Sequence, residues 1–152
     1  MRRGDSGAVV KRFVAVAPDV DSWLSSSDYH SYFDRERVCT GPCDMQEYER
    51  LLALRARPFS TGILPTNGQI QFAGPGFVRT YYGETSDTMF NVTIPGAHFL
   101  DPGAVMRWVS TDVTGSVYVN TWGVGAGMAP RVNEFLAPLV WRITNIDLRL
   151  GR

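Results

Sequence analysis

The sequence predicts a single α+β domain, residues 1–152, in which N-terminal helices pack on one antiparallel, partly curled β-sheet. Helix signals fall at about residues 20–58, whereas strand-like segments separated by Gly- and Pro-containing turns fill about residues 59–150. A length of 152 residues, with 44% hydrophobic and 20% charged residues, is typical of one folded domain with its own core.

The N-terminal part begins with a predicted strand and a short predicted helix. Residues 9–17 are apolar and rich in β-branched side chains, which favour an extended strand. Asp21 or Ser22 then supplies an N-cap for a helix that runs toward Phe33.

A second helix is predicted between Asp44 and Pro58. Asp44 and Glu47 have the spacing of a capping box, and Pro58 ends the helix because proline cannot donate a backbone hydrogen bond. Between them, apolar side chains recur at helical spacing. These are Met45, Tyr48, Leu51, Leu52 and Ala56.

Beyond residue 59 the pattern changes to short strands separated by turns. The turn signals are Asn67-Gly68, Gly74-Pro75-Gly76, Pro95-Gly96, Pro102-Gly103 and Thr114-Gly115. The predicted strands are residues 69–72, 77–82, 89–94, 105–110, 116–121 and 139–148. Residues 105–110 and 116–121 form a predicted hairpin, and residues 131–138 form a short helix or turn before the last strand.

Charge and composition exclude several classes of function. Fifteen basic residues balance fifteen acidic ones, which argues against coating nucleic acid by bulk electrostatics. No apolar run is long enough to span a membrane. Residues 1–7 are polar, so they do not resemble a secretory signal.

Cysteine and histidine are too few for a recognisable metal motif. Cys39 and Cys43 either form a local disulfide or stand as two free thiols at a helix start. His30 and His98 lie far apart in the chain, so we expect no metal and no cofactor.

His98 is the first candidate catalytic residue. It lies in a loop bounded by two Pro-Gly turns, and an imidazole titrates near neutral pH, as general acid–base catalysis requires. The structural alternative is a loop histidine that is hydrogen-bonded to Asp101.

Arg107 and Arg79 each interrupt an apolar strand. Either they face solvent or they hold an anion on a rigid element. Whether Arg107 shares a face with Thr121 depends on the hairpin register, because a shift of one residue reverses every side chain.

Residues 120–133 are the second candidate region. Three alternating glycines follow Trp122, and such spacing lets the backbone approach an anion or a flat ring. Trp122 can stack a base, and Arg131 and Asn133 follow as polar groups. A glycine loop without a ligand is the alternative.

Together these residues suit metal-independent RNA cleavage. His98 would act as acid or base, Arg107 and Arg131 would bind phosphate, and Thr121 and Asn133 would orient it. Arg79 and Trp122 would add substrate contacts.

A resemblance supports the same interpretation. The segments His-Phe-Leu-Asp-Pro-Gly-Ala-Val-Met-Arg, Tyr-Val-Asn-Thr-Trp-Gly-Val-Gly and Asn-Glu-Phe resemble the C-terminal toxin domains of bacterial polymorphic toxins, in their EndoU- and barnase-like ribonuclease group. The resemblance implies an effector used in bacterial competition, an RNA substrate and a cognate immunity protein. It also implies secretion, or delivery by a larger toxin, into a target-cell cytoplasm. Those families pair histidine with a second acid–base residue that is not evident here.

Three alternatives stay open. Phe59-Ser60-Thr61 resembles the nicotinamide-pocket strand of ADP-ribosyltransferase toxins, although no Glu-x-Glu turn follows. Cys43 followed by His98 has the order of a papain-like pair. The aromatic residues instead suit a non-catalytic module that binds a protein or a carbohydrate. These include Tyr81, Tyr82, Trp108, Trp122 and Trp141.

Overall fold

The computed structural model describes residues 20–83, 88–127 and 130–151. Within them the helices are α1 (Val20–Leu24), α2 (Met45–Leu54), α3 (Pro130–Thr144) and α4 (Ile146–Arg149). The strands are β1 (His30–Cys39), β2 (Gln69–Phe72), β3 (Gly76–Tyr82), β4 (Thr88–His98), β5 (Gly103–Thr111) and β6 (Val117–Gly125).

The six strands form one open antiparallel sheet in the order β1-β6-β5-β4-β3-β2. Strands β2 to β6 pair with their sequence neighbours. Strand β1 pairs with β6 at one edge of the sheet, so the connection from β1 to β2 runs to the opposite edge. This arrangement confirms the α+β class and the single antiparallel sheet. The helices are mostly C-terminal, however, and not N-terminal as predicted.

The β5–β6 hairpin confirms the strongest strand prediction. Its turn is closed by Asp112, whose Oδ1 accepts hydrogen bonds from the Thr114 N–H at 2.9 Å and the Ser116 N–H at 3.1 Å. Hydrogen bonds from the Thr114 side chain, and further ones from its neighbours, lower the pKa of Asp112 to about 2. In the resulting register Arg107 lies directly opposite Thr121, so the two share one face of the sheet.

Helix α2 covers one end of this face, which we call the inner face. Asp44 caps the helix by accepting a hydrogen bond from the Gln46 N–H at 3.0 Å, which confirms the predicted start. The helix ends at Leu54, four residues before Pro58. Its buried leucines pack with inner-face valines and with α4. This cluster contains Val38, Leu51, Leu52, Val109, Val117, Val119 and Leu148.

The opposite face, the outer face, carries an aromatic and apolar cluster beneath α1. Trp122, only 4% exposed, belongs to this cluster, because side chains alternate along β6 and Thr121 points to the inner face. The buried members are Trp23, Phe90, Ala104, Met106, Trp122 and Val124. Both faces of the central strands are therefore buried.

Three sequence predictions of secondary structure are wrong. Residues 30–33 belong to a strand rather than a helix, because β1 alternates buried and exposed positions. Residues 139–148 are helical in α3 and α4, because Ala137, Trp141 and Leu148 bury one helical face while their apolar neighbours stay exposed. Phe59-Ser60-Thr61 lies in a loop, not a strand. The strand predicted at residues 9–17 lies outside the described residues.

Two further findings concern the cysteine pair and the character of the helices. Cys39 and Cys43 are joined in a disulfide between β1 and α2. In the part of the chain that the structure describes, no helix combines the length and apolar character that crossing a membrane requires.

Candidate functional site

A cavity of about 290 Å³ lies between the inner face and α3. Its floor comes from β3, β4 and β5, and its sides come from the segments that precede and follow these strands. Most of the lining is apolar. The apolar side chains include Pro58, Ala73, Val78, Phe99, Leu100, Val105, Leu136, Ala137, Val140 and Trp141.

Helix α3 closes the cavity with one of its faces. Ala137 and Trp141 are one helical turn apart and are 7% and 5% exposed. The Trp141 indole N–H donates a hydrogen bond to the Tyr32 hydroxyl at 2.7 Å, which ties α3 to β1. Burial raises the pKa of Tyr32 well above its ordinary value, so this hydroxyl stays neutral.

The alternating glycines of the second candidate region have a packing role. Gly123 and Gly125 belong to β6 rather than to a loop. A β-carbon on Gly123 would overlap the Tyr32 ring, and one on Gly125 would lie 3.2 Å from the His30 ring. A β-carbon on Gly127 would lie 2.8 Å from the Leu100 carbonyl oxygen. These glycines admit the protein's own rings and backbone.

Two polar side chains of the cavity already have partners. Asn91 donates to the Ala56 carbonyl at 2.8 Å and accepts from the Thr80 hydroxyl at 2.8 Å. The Thr93 hydroxyl donates to an Asp101 carboxylate oxygen at 2.6 Å and accepts from the Gly103 N–H at 2.9 Å. Their hydrogen-bonding groups are committed to holding the fold.

His98 lies in the cavity wall at the end of β4. Its Nδ1 accepts a hydrogen bond from the Leu100 N–H at 3.1 Å, which fixes the ring with the proton on Nε2. Burial lowers the pKa of His98, although the nearby Asp101 carboxylate partly opposes this. The imidazole is therefore neutral near pH 7.

Arg57 differs from the other polar residues of the cavity in its lack of hydrogen-bond partners at two nitrogens. Its side chain is only 5% exposed, and within the described residues neither Nε nor Nη1 has a hydrogen-bond partner. Burial lowers the pKa of this guanidinium, and among the described residues no carboxylate opposes this shift. A buried, unpartnered cation is costly unless something else pairs with it.

Contacts from the sheet fix the backbone just before Arg57. The Arg55 carbonyl accepts a hydrogen bond from Arg107 Nη1 at 2.7 Å, and the Ala56 carbonyl accepts the one from Asn91. The Ser60 hydroxyl donates to the Leu54 carbonyl on the other side of the loop. Arg57 is therefore held at the cavity wall by bonds on both sides.

Arg107 lies on the same face but has a full set of partners. It is completely buried, with Nε 3.3 Å from the Thr121 hydroxyl and Nη2 donating to the Asn145 side-chain oxygen. Its guanidinium lies 4.6 Å from the Trp141 ring centroid. Burial lowers the pKa of Arg107 to about 9. The Asn145 amide in turn donates to Glu36 at 2.7 Å, so a continuous network links β1, β5 and α4.

The predicted site residues fall in separate places. His98 lines the cavity, whereas Arg107 and Thr121 pair beside it and are bonded to each other. Arg79 lies on the outer face of β3, between two inner-face residues, and donates to the Gly68 carbonyl at 3.3 Å. Trp122 belongs to the outer-face cluster. Arg131 and Asn133 are in the first turns of α3, and their side chains lie outside the described residues.

Sequence reasoning missed the cavity and most of its lining. Arg57 was not among the candidate site residues. The available signal was an arginine inside the apolar run Leu-Leu-Ala-Leu-Arg-Ala-Arg-Pro-Phe. Among the residues that the structure describes, no group of three or more histidine, cysteine, aspartate or glutamate side chains is arranged to hold a metal ion.

The fold and the cavity define an α+β protein whose C-terminal helix covers an open antiparallel sheet. No family model and no curated protein matches the sequence. Solved structures with a similar fold include MLL2253 from Mesorhizobium loti, with a TM-score of 0.53, 12% identity, and coverage of 80% of this chain and 96% of that one. CalU16 from Micromonospora echinospora has a TM-score of 0.54 and 12% identity, over 80% and 74% of the two chains. The Aha1 dimer from Colwellia psychrerythraea has a TM-score of 0.52 and 11% identity, over 80% and 98%. At these identities the similarity establishes the fold alone.

Proposed function

We propose that this protein binds a small, largely apolar molecule in the cavity between the sheet and α3. The observation that carries the proposal is an internal space of about 290 Å³ with a chiefly apolar lining. Apolar surface that is kept from packing costs stability, and a bound apolar molecule recovers those contacts.

The size of the cavity limits the ligand. Ligand pockets commonly measure about 300 Å³ or more, so this cavity is at the small end of the range. The polar groups of Asn91, Thr93 and Tyr32 are bonded within the protein and leave little to recognise a highly polar ligand. An alkyl chain or a small aromatic molecule fits these properties.

A neutral fluorescent probe tests the proposal. N-phenylnaphthylamine fluoresces strongly only in apolar surroundings, so titration into the protein should give a saturable rise in emission. Ala137→Phe places a ring in the cavity and should abolish that rise. Val105→Phe, which fills the space from the sheet instead of the helix, should have the same effect.

The matched control is Ile143→Phe on the same helix. Ile143 is 60% exposed and does not line the cavity, so this variant should bind the probe like the wild type. Circular dichroism confirms that each variant is folded. The proposal is overturned if the wild-type protein gives no saturable rise, or if the cavity-filling variants and the control behave alike.

The ribonuclease hypothesis is a second proposal. It is favoured by one observation, the position of the His98 ring at the cavity wall, where Nδ1 accepts from the Leu100 N–H and Nε2–H is left to act as a proton donor. Expression of the wild-type chain and of His98→Ala under tight repression tests it. RNA cleavage and growth arrest that disappear in the variant would support the proposal, and intact RNA with both chains would refute it.

A further inference from the structure

We infer that the cavity selects a ligand with a single carboxylate, and that Arg57 is the residue that binds this group. The inference rests on the proposed function, because it concerns the same cavity. Its basis is a contrast within the lining, where the hydrogen-bonding groups of Asn91 and Thr93 are committed to the fold, whereas Nε and Nη1 of Arg57 have no partner among the described residues.

The position of Arg57 is built rather than accidental. Its side chain is 95% buried by the fold, since only 5% is exposed, yet Nε and Nη1 have no partner among the described residues. Arg107 and Asn91 hold the two carbonyl groups that precede it. A flexible surface arginine would turn toward water, whereas this one is held where a bound molecule would meet it.

The charge of the cavity favours a monoanion. Among the described residues that line the cavity, Arg57 is the only one with a positive charge, because His98 is neutral. Tyr32 keeps its proton and so adds no negative charge. A guanidinium N–H donates a charge-assisted hydrogen bond to a carboxylate, and one guanidinium balances one negative charge. A dianionic phosphate would carry a second charge with no cation to pair with it. The remaining apolar lining is suited to an alkyl chain or a ring.

A pair of ligands of equal length tests the head group. Octanoate and octan-1-ol have the same alkyl chain and differ in the charged group. Calorimetric titration of the wild-type protein should give octanoate an affinity roughly tenfold or more above that of octan-1-ol, as expected of a charge-assisted hydrogen bond. Octyl phosphate should bind more weakly than octanoate.

Substitution of Arg57 tests the residue. Arg57→Met keeps the length of the side chain without the charge, so it should reduce octanoate affinity roughly tenfold or more and leave octan-1-ol affinity unchanged or higher. Arg57→Lys should restore part of the preference. Arg79→Met is the matched control, because Arg79 does not line the cavity, and it should leave both affinities unchanged.

The outcomes separate the two proposals. If neither octanoate nor octan-1-ol binds, and N-phenylnaphthylamine does not bind either, the cavity is not a ligand site and both proposals are wrong. If both ligands bind equally well and Arg57→Met changes neither affinity, the carboxylate inference is wrong while the proposed function stands. Tighter binding of octyl phosphate than of octanoate would also overturn the carboxylate inference.

Discussion

Two buried arginines on neighbouring parts of the molecule differ in one respect. Arg107 is 0% exposed and donates to a threonine hydroxyl, a backbone carbonyl and an asparagine side chain. Arg57 is 5% exposed, and its Nε and Nη1 donate to nothing in the described chain. At the Arg107 end of the inner face, which we call the closed region, the protein supplies the hydrogen-bond partners of the arginine. At the Arg57 end, the arginine lines a cavity that a bound molecule could fill.

The contrast between the two arginines indicates that one sheet face can serve both stability and binding. The hydrogen-bond partners of Arg107 are Thr121 in β6, the Arg55 carbonyl at the end of α2 and Asn145 at the start of α4, so the cost of burying the cation is offset within the fold. Around Arg57, helix α3 spans a space instead of filling it. Proteins tolerate such locally unfavourable positions chiefly where function requires them.

The largest expected effect comes from removing Arg107. Arg107→Met would leave Thr121, Asn145 and the Arg55 carbonyl without their donor in a dry environment. We expect a loss of about 3 kcal/mol or more in the free energy of unfolding, measured by urea denaturation. Arg37→Met, at an exposed residue of β1, should change it by less than about 0.5 kcal/mol. Similar values for the two variants would remove the distinction between the closed region and ordinary surface.

Gly123→Ala tests how tightly the closed region meets the cavity. Its new methyl group would overlap the ring of Tyr32, whose hydroxyl accepts the hydrogen bond from the Trp141 indole N–H. Overpacking of this kind costs about 1–3 kcal/mol. Urea denaturation of Gly123→Ala, Tyr32→Ala and the double variant measures the coupling. The cost of the alanine should be smaller once the ring is gone, and equal costs in both backgrounds would contradict the close contact.

Arg57→Met should affect stability in the opposite direction to Arg107→Met. It removes a buried guanidinium whose Nε and Nη1 have no partner in the described chain, so the free energy of unfolding should stay the same or rise by up to about 1 kcal/mol. Thermal and urea unfolding without ligand provide the measurement. A loss of more than about 1 kcal/mol would mean that Arg57 stabilises the fold in the absence of ligand, and the comparison of the two arginines would fail.

The smallest expected effect is a pH dependence from His98. Because burial lowers its pKa in the folded protein, the unfolded chain binds a proton more readily, and stability should fall as the pH decreases below about 6.5. His98→Gln should lose stability less steeply than the wild type between pH 7 and pH 5. Equal slopes in that range, measured by urea denaturation, would contradict the lowered pKa.

The sequence identified elements whose signals are local. The turn at Asp112 and the cap at Asp44 each depend on neighbouring residues, and both were predicted. Strand β1 was missed because its inward-facing positions include Asp34 and Glu36, which pair with Arg142 and Arg149 from the C-terminal helices. A polar inner face removes the apolar alternation by which strands are recognised.

The candidate site was less predictable, because it depends on contacts between distant segments. The cavity exists only where α3, after residue 130, returns over the inner face, and residues 139–148 had been interpreted as a strand. The sequence singled out His98, and the structure places it in the cavity wall. For Arg57 the sequence offers only its apolar neighbours as a signal, because its place in the cavity lining depends on distant strands and on α3.

Nuclear magnetic resonance titration with octan-1-ol tests the central claim most directly, since this neutral ligand does not depend on Arg57. The account predicts saturable shifts at amides that line the cavity, such as Val105, Ala137 and Trp141, and none at Trp108 on the outer face. Shifts confined to the outer face, or none at saturating ligand, would contradict the claim that the cavity binds a small apolar molecule.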